Sequence, residues 1–361
     1  MATTENIDPR QSLTGLLESE LSEALADMGE KKYRTKQVLD WVYRERVTEF
    51  EAMTNLSKDL RGKLQDSYRL AALEAVRKQG SSDTTQKFLF RLHDGRFVEA
   101  VLIRANVGFD GVRAGRTTLC VSSQVGCAYD CKFCASGLAG FTRNLDSGEI
   151  VDQVLQAERE GGRRVDNLVF MGMGEPLANL RNLLKALEII NSHWGVGIGA
   201  RHITVSTSGL APQIKKLADQ PQQIRLAVSL HGATDDVRNQ IMPVNKRYPL
   251  DQLFEALQYF RSKKKQKITF EYILIEGVND APQHAADLIK RAESVSAKVN
   301  LIPYNTVDGL SWKRPSEEVQ DAFLAKLKSA GIVATIRREK GHDIDAACGQ
   351  LRLREEMPEL S

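Results

Sequence analysis

The chain has 361 residues, with 50 basic and 47 acidic side chains, a net charge of +3 and 42% hydrophobic residues. That length can bury a full core, as one large domain with appendages or as two domains, and the composition is that of a folded globular protein. Balanced charge excludes reading a nucleic-acid partner from composition alone. The lack of a long uncharged apolar stretch or signal-peptide pattern sets the expectation of a soluble cytoplasmic protein with no membrane partner.

Residues 1–75 read as a helical domain. Thr35 to Arg46 gathers Val38, Trp41 and Val42 on one face, and Ser57 suits the cap of a helix carrying Leu60 and Leu64. The basic runs Lys31-Lys32-Tyr33-Arg34-Thr35-Lys36, Lys263-Lys264-Lys265 and Arg337-Arg338 permit phosphate contacts, although solvated helix ends carry such runs equally well. Gly80-Ser81-Ser82-Asp83 marks a break. A β-hairpin extension and linker over 76–116 follows. Its strands, Phe88-Leu89-Phe90 and Phe97 to Ile103, flank the turn signal His93-Asp94-Gly95 and put Glu99, an acid among apolar neighbours, inside the second strand.

From 117 to 340 strand and helix alternate. Strands are expected at 117–123, 167–172, 202–208, 224–230, 268–275 and 298–304, with helices at 148–160, 180–191, 250–264, 282–295 and 316–329, opened by capping residues such as Ser147 and Ser316. Six such units make an α/β fold, a partial (βα)6 barrel whose functional groups gather at the strand C-termini. A last strand, 332–338, leads to a C-terminal segment, 341–361, that contains Cys348.

Five cysteines without a secretory signal point to thiols kept reduced for metal or catalytic work. Three of them, Cys127, Cys131 and Cys134, follow the first barrel strand in the run Cys-Ala-Tyr-Asp-Cys-Lys-Phe-Cys. Zinc sites close with four ligands, usually in two separated pairs, and no second Cys or His pair follows. Three thiolates on a four-iron cube leave one iron open, so a [4Fe-4S] cluster fits better. An open iron accepts an amino group and a carboxylate, the chelating pair of S-adenosylmethionine.

In Met171-Gly172-Met173-Gly174-Glu175-Pro176, glycines let the backbone approach a ligand and Glu175 can accept from its ammonium group. Ser206-Thr207-Ser208-Gly209 and Ser229-Leu230-His231-Gly232 end the third and fourth strands and offer hydroxyl, backbone and imidazole partners for ribose and carboxylate. Asn305, after the sixth strand, can donate and accept at once, as adenine recognition requires. Each of these also serves as an ordinary strand end or turn. Cys120 and Cys348 stand alone, and an isolated cysteine is by default a buried inert thiol. The small-residue setting of Cys348, and the position of Cys120 in the first barrel strand, allow the two to meet near the cofactor.

The spacing Cys-x-x-x-Cys-x-x-Cys, with Phe133 before the third cysteine, is that of radical S-adenosylmethionine enzymes. Longer strings narrow the likeness: Met53-Thr54-Asn55-Leu56-Ser57-Lys58, Cys120-Val121-Ser122-Ser123-Gln124-Val125-Gly126-Cys127, Arg143-Asn144-Leu145, the Gly-Met-Gly-Glu-Pro run and the ending Ala346-Ala347-Cys348-Gly349-Gln350. Over nearly its whole length the chain resembles the RlmN/Cfr family of radical RNA methyltransferases, and within it the branch that methylates adenine C2. The resemblance implies as substrates an adenosine of 23S rRNA at the peptidyl-transferase centre and the adenosine 3′ to the anticodon in tRNA. An unstacked or flipped base would be needed, with the N-terminal helical domain as an RNA contact.

Adenine C2 is an electron-poor carbon that ordinary methyl transfer cannot attack. By the resemblance, Cys348 takes a methyl group from one S-adenosylmethionine, and a second is cleaved at the cluster to a radical that abstracts hydrogen from that methyl. The carbon radical adds to C2, Glu99 accepts the C2 proton, and Cys120 resolves the adduct through a transient disulfide with Cys348. An external electron donor such as flavodoxin then reduces the pair. The resemblance also assigns S-adenosylmethionine contacts to Gly174, Glu175, Ser206, Ser229, Leu230, His231 and Asn305, and implies a monomer. Ala105 to Arg116 is longer than usual for the family, which makes an inserted loop the expectation. Val125 stands where the C8-methylating branch tends to carry another cysteine, so C2 is preferred. The alternatives are C8 methylation, or an RNA-binding protein whose cysteines hold a structural metal and catalyse nothing.

Overall fold

The computed structural model describes residues 10–80, 85–104, 115–138, 140–305 and 310–337. Cys348, the segment 341–361 and residues 105–114 of the expected insertion lie outside these described residues.

The N-terminal part contains β1 (Gln11–Ser12), α1 (Glu18–Asp27), α2 (Tyr33–Asp40), α3 (Lys58–Ser67) and β2 (Tyr68–Arg69). Ser57 caps α3 as expected, accepting from the Leu60 N–H at 3.1 Å. Helix ends at residue 67, earlier than the sequence suggested. Next come three antiparallel strands, β3 (Leu73–Gly80), β4 (Thr85–Leu92) and β5 (Phe97–Arg104). The expected hairpin is therefore present and is enlarged by β3. That strand has no apolar signature in sequence, because exposed Glu74, Arg77 and Lys78 give it the charged look of a sheet edge.

The remaining elements are β6 (Thr117–Cys120), β7 (Gln124–Gly126), α4 (Ala135–Leu138), β8 (Phe141–Asn144), α5 (Ser147–Gly161), β9 (Asn167–Phe170), α6 (Leu180–Asn191), β10 (Ile203–Thr207), α7 (Ala211–Ala218), β11 (Arg225–Ser229), α8 (Asp235–Ile241), α9 (Leu250–Lys263), β12 (Thr269–Leu274), α10 (Pro282–Ser294), β13 (Lys298–Pro303), α11 (Glu317–Ser329) and β14 (Ala334–Ile336). Strands β6 and β9 to β13 pair in parallel in sequence order, the (βα)6 partial barrel. On the far side β14 adds a parallel edge, while β5 pairs antiparallel with β6. One ten-stranded sheet thus runs from β14 through the barrel to β3.

Two expectations change in detail. The strand foreseen at 117–123 stops at Cys120, because the Ser122 N–H turns to the side chain of Gln153 at 2.8 Å. The chain then forms β7, which pairs with β8 instead of the barrel. Ser147 is not the cap of α5. Asp146 is, accepting from the Glu149 N–H at 2.7 Å while Glu149 accepts from the Asp146 N–H at 2.9 Å. The Ser147 hydroxyl instead donates to the Gly15 carbonyl at 3.0 Å, tying the N-terminal segment to the barrel.

Candidate active site

A cleft of about 940 Å3, counted out to its mouth, opens at the C-terminal ends of the barrel strands. Its walls come from the cysteine loop and from β9 to β13, so the sheet curls around it. Cys127, Cys131 and Cys134 line one side, and Gly174, Glu175, Ser206, Ser229 and His231 line others.

Local hydrogen bonding shapes the cysteine loop. The Cys127 N–H donates to the Gly140 carbonyl at 2.8 Å and the Lys132 N–H to the Ile241 carbonyl at 2.9 Å, pinning the loop at both ends. Gly126 adopts φ +72°, and a side chain there would strike the Gly140 carbonyl. Burial, with lesser help from neighbouring thiols, pushes the Cys127 thiol up to about 12 and the Cys131 thiol well above its ordinary value.

Glu175 is held as a carboxylate cradle. Its Oε1 accepts from the Leu177 N–H at 3.0 Å and its Oε2 from the Ser208 N–H at 2.7 Å. Burial raises its pKa and these donors oppose the rise. The adjoining Gly174 has φ +94° and lies so close to the Gln124 side chain that a Cβ would come within 2.5 Å of it. The Gln124 side chain in turn accepts from the Glu175 N–H at 2.8 Å. The glycine-rich turn is thereby fastened to the strand that leads into the cysteines.

His231 sits at φ +54° with its ring edge-to-face on Phe133, centroids 4.7 Å apart. Its Nδ1 accepts from the Ile273 N–H at 3.0 Å, so the single proton of the neutral ring sits on Nε2 and can be donated. Burial, aided by the Arg238 charge, lowers its pKa to about 3. The ring is expected to stay neutral from pH 8 down to pH 5. Proton NMR following the imidazole resonances, assigned with a His231→Asn variant, checks this, and a titration step near 6.5 would contradict it.

Two expected contacts lie outside the cleft wall. The Leu230 N–H donates to the Glu271 carbonyl at 3.0 Å and its carbonyl accepts from Arg238, while Asn305 Oδ1 accepts from Arg314 at 2.8 Å.

Glu99 and Cys120 do not line the cleft, but strand register puts them on the same sheet face as residues that do. Val101 pairs with Cys120, Cys120 with Val169, and Val169 with Thr204. Directly paired side chains share a face, as do residues two apart, so Glu99, Val101, Cys120 and the cleft-lining Ser206 all point inward.

Three site residues were not among those expected from the sequence. Glu271 lines the cleft, buried, and accepts from the Asn300 side chain at 2.7 Å. Burial raises its pKa. Ser229, Glu271, Asn300 and Thr335 form one polar row across four strands. Arg238 is fully buried and joins the ends of β10 and β11, donating to the carbonyls of Ser208, Leu230 and Ser229, the last at 2.9 Å. Lys87 is buried against Glu99. An acid in an otherwise apolar strand was the available hint for Glu271; no local pattern marks the other two.

A profile described as the radical SAM superfamily matches residues 121–289, and one described as the ribosomal RNA large subunit methyltransferase N-terminal domain matches residues 11–70. The protein named probable dual-specificity RNA methyltransferase RlmN from Akkermansia muciniphila is 57% identical over 348 residues, covering 96% of this chain and 97% of that one. The chain belongs to the RlmN family of radical SAM methyltransferases. The protein of the same name from Bacillus subtilis is 47% identical, with 97% and 95% of the two chains covered. A crystal structure of a radical SAM methyltransferase from Sphaerobacter thermophilus, 44% identical, matches with a TM-score of 0.89 over 95% of this chain and 99% of that one.

As a member of the RlmN family the chain is a radical SAM RNA methyltransferase, which removes the reading as a non-catalytic RNA-binding protein. The family uses a [4Fe-4S] cluster and S-adenosylmethionine, and the residues present fit both. Among the described residues no group of three Cys, His, Asp or Glu side chains suits a single metal ion. Three thiols on one loop facing a cleft suit a larger group with several metal atoms. Buried thiols that repel one another as thiolates need the positive charge that such a group brings. No helix among the described residues is long and apolar enough to cross a membrane.

Proposed function

We propose that this enzyme methylates C2 of an adenosine in 23S rRNA and of the adenosine 3′ to the anticodon in tRNA. Cys348 carries the methyl group as S-methylcysteine, Glu99 accepts the C2 proton, and Cys120 releases the product by forming a transient disulfide with Cys348. The observation that carries the reading is the shared inward face of Glu99 and Cys120 beside the cleft. The names of the curated relatives, dual-specificity RNA methyltransferases, support the pair of RNA classes.

When bound, the cluster on Cys127, Cys131 and Cys134, together with S-adenosylmethionine, supplies a 5′-deoxyadenosyl radical, with two S-adenosylmethionine molecules consumed per turnover. Glu175 receives the ammonium group of the ligand, and Ser206, Ser229 and the Nε2–H of His231 take its polar oxygens. Gly174 admits the ligand to the backbone, and from outside the cleft wall Leu230 holds the strand end that carries His231 while Asn305 has amide hydrogens to offer adenine. Glu99 takes the proton from C2 of the RNA adduct held through the Cys348 sulfur; the Cys120 thiolate then attacks that sulfur, the bond from sulfur to the methylene carbon breaks with its electron pair going to carbon, and a proton completes the methyl group. A soluble electron donor of the flavodoxin type restores both thiols, in the cytoplasm and on a monomeric enzyme.

Anaerobic reaction with a 23S rRNA fragment and with tRNA, followed by digestion and mass spectrometry against 2-methyl- and 8-methyladenosine standards, tests the reading. The 2-methyl product is expected from both RNAs, and an 8-methyl product would overturn it. In Cys348→Ala the cluster is expected to remain while methylation falls below detection; continued methylation refutes the carrier role.

A further inference from the structure

We propose that Lys87 is a positioning residue for proton transfer, holding the Glu99 carboxylate ionised and aimed along the inner face of the sheet. The proposal rests on the reading of Glu99 as the base. Lys87 Nζ lies 3.0 Å from Glu99 Oε1, and the two residues are 8% and 4% exposed. Lysine and glutamate are almost never this buried unless paired.

Stability does not account for the pair. Buried ion pairs are often matched or bettered by apolar residues of similar volume, because desolvating two charges offsets their attraction. Apolar side chains already occupy the adjoining inward positions, Leu89 opposite Glu99 and Val101 opposite Lys87. An apolar pair would therefore suit this face, and a charged one calls for another reason.

The chemistry supplies one. A buried carboxylate with no cation beside it is driven toward its protonated form, and a protonated acid cannot accept a proton. An ammonium at 3.0 Å favours the ionised form and fixes the direction of one oxygen. Its position is apt as well: Lys87, Val101 and Cys120 form one row in register, so the cation stands level with the thiol proposed to resolve the adduct.

The Glu99 backbone is fixed by other means. Its carbonyl accepts from the Ser122 hydroxyl at 2.6 Å, and the Ser122 oxygen accepts from the Met173 N–H at 2.9 Å. Lys87 thus governs the carboxylate side chain and not the placement of the strand. In the step itself the C2–H bond of the adduct breaks, its electron pair stays with the ring, and the proton passes to Glu99. The adduct at this point is the closed-shell species left once the odd electron of radical addition has passed to a one-electron acceptor, so the proton transfer itself needs no redox partner.

The test compares Lys87→Met, Lys87→Arg and Glu99→Gln in the full-length, cluster-loaded enzyme with tRNA as substrate. In Lys87→Met, 5′-deoxyadenosine formed in a single turnover and the affinity for tRNA are expected within about twofold of the parent, while the rate of methyladenosine formation falls about 100-fold, the lower end of a general base's contribution. Covalent protein–RNA adduct builds up on denaturing gels at the same time. Lys87→Arg, which keeps the charge, restores product to within about tenfold of the parent. If Lys87→Met makes product at the parental rate while Glu99→Gln accumulates adduct, the proposal is wrong and the base assignment stands. If Glu99→Gln makes product at the parental rate, the base reading fails and the proposal falls with it. A parallel drop in 5′-deoxyadenosine, tRNA affinity and product in Lys87→Met marks a purely structural role and overturns the proposal. Should Lys87→Met not fold, Lys87→Gln, a donor without charge, takes its place with the same expected adduct.

Discussion

Replacing Cys131 by Ala is expected to abolish RNA methylation, a loss of about a millionfold or more, since it removes the whole catalytic acceleration and not one contribution to it. The three thiols face one cleft from a single loop, and two of them leave a second iron of the cube without a protein ligand. The side chain is small and the loop is tethered by backbone hydrogen bonds at Cys127 and Lys132, so folding should survive. Iron and sulfide analysis of anaerobically reconstituted protein, a thermal melt and the RNA assay together check this. A variant that keeps the parental iron content and makes product would overturn the assignment of the cluster to this loop. Cys120→Ala provides the contrast, because it should retain iron.

The second large effect is expected at Arg238. Its guanidinium is fully buried with no carboxylate in direct contact among the described residues, its pKa lowered to about 10 by burial and still charged near neutrality. It is satisfied by the carbonyls of Ser208, Ser229 and Leu230 and by the Asn245 side chain at 3.0 Å. Arg238→Met removes this donor from the buried Ser208 and Ser229 carbonyls, at about 1–3 kcal/mol each, while the Leu230 carbonyl keeps the Gly232 N–H at 2.6 Å. Part of this is offset because a desolvated cation is no longer buried. A net loss of about 3 kcal/mol follows, or a fall in Tm of about 4 °C for a chain of this length. The carbonyls concerned end β10 and β11, the strands that present Ser206, Ser229 and His231, so affinity for S-adenosylmethionine should fall in step. Thermal melting and equilibrium binding measure both. Unchanged values for the two would show that the strand ends hold themselves.

The parallel strands of the barrel were legible because they are buried on both faces and read as short apolar runs between amphipathic helices. Helix α6 falls on the expected 180–191, and Ser316 caps α11 by accepting from the Val319 N–H at 3.4 Å. Structure departs from the local signal where a neighbour outcompetes it. Asp146 took the cap from Ser147, and Gln153 drew the Ser122 N–H out of the ladder. Strand β3 was hidden because an edge strand can be charged on much of its length and still pair.

The cysteine triplet, the Gly-Met-Gly-Glu-Pro turn and the polar ends of the third and fourth barrel strands were written in contiguous residues, because a loop that chelates or cradles must supply its groups from one short stretch. Those strings settled the chemistry the chain can host. Folding alone decided which distant groups serve it. Lys87, Glu99 and Cys120 lie on three strands and become neighbours only through register, since side-chain period two sends each to a face that a single strand cannot reveal. Arg238 likewise looks like a surface charge in sequence, and Glu271 shows only as an acid in an apolar strand. They are buried because the curled sheet closes around them and meets their hydrogen-bonding needs with backbone and side-chain partners from other strands.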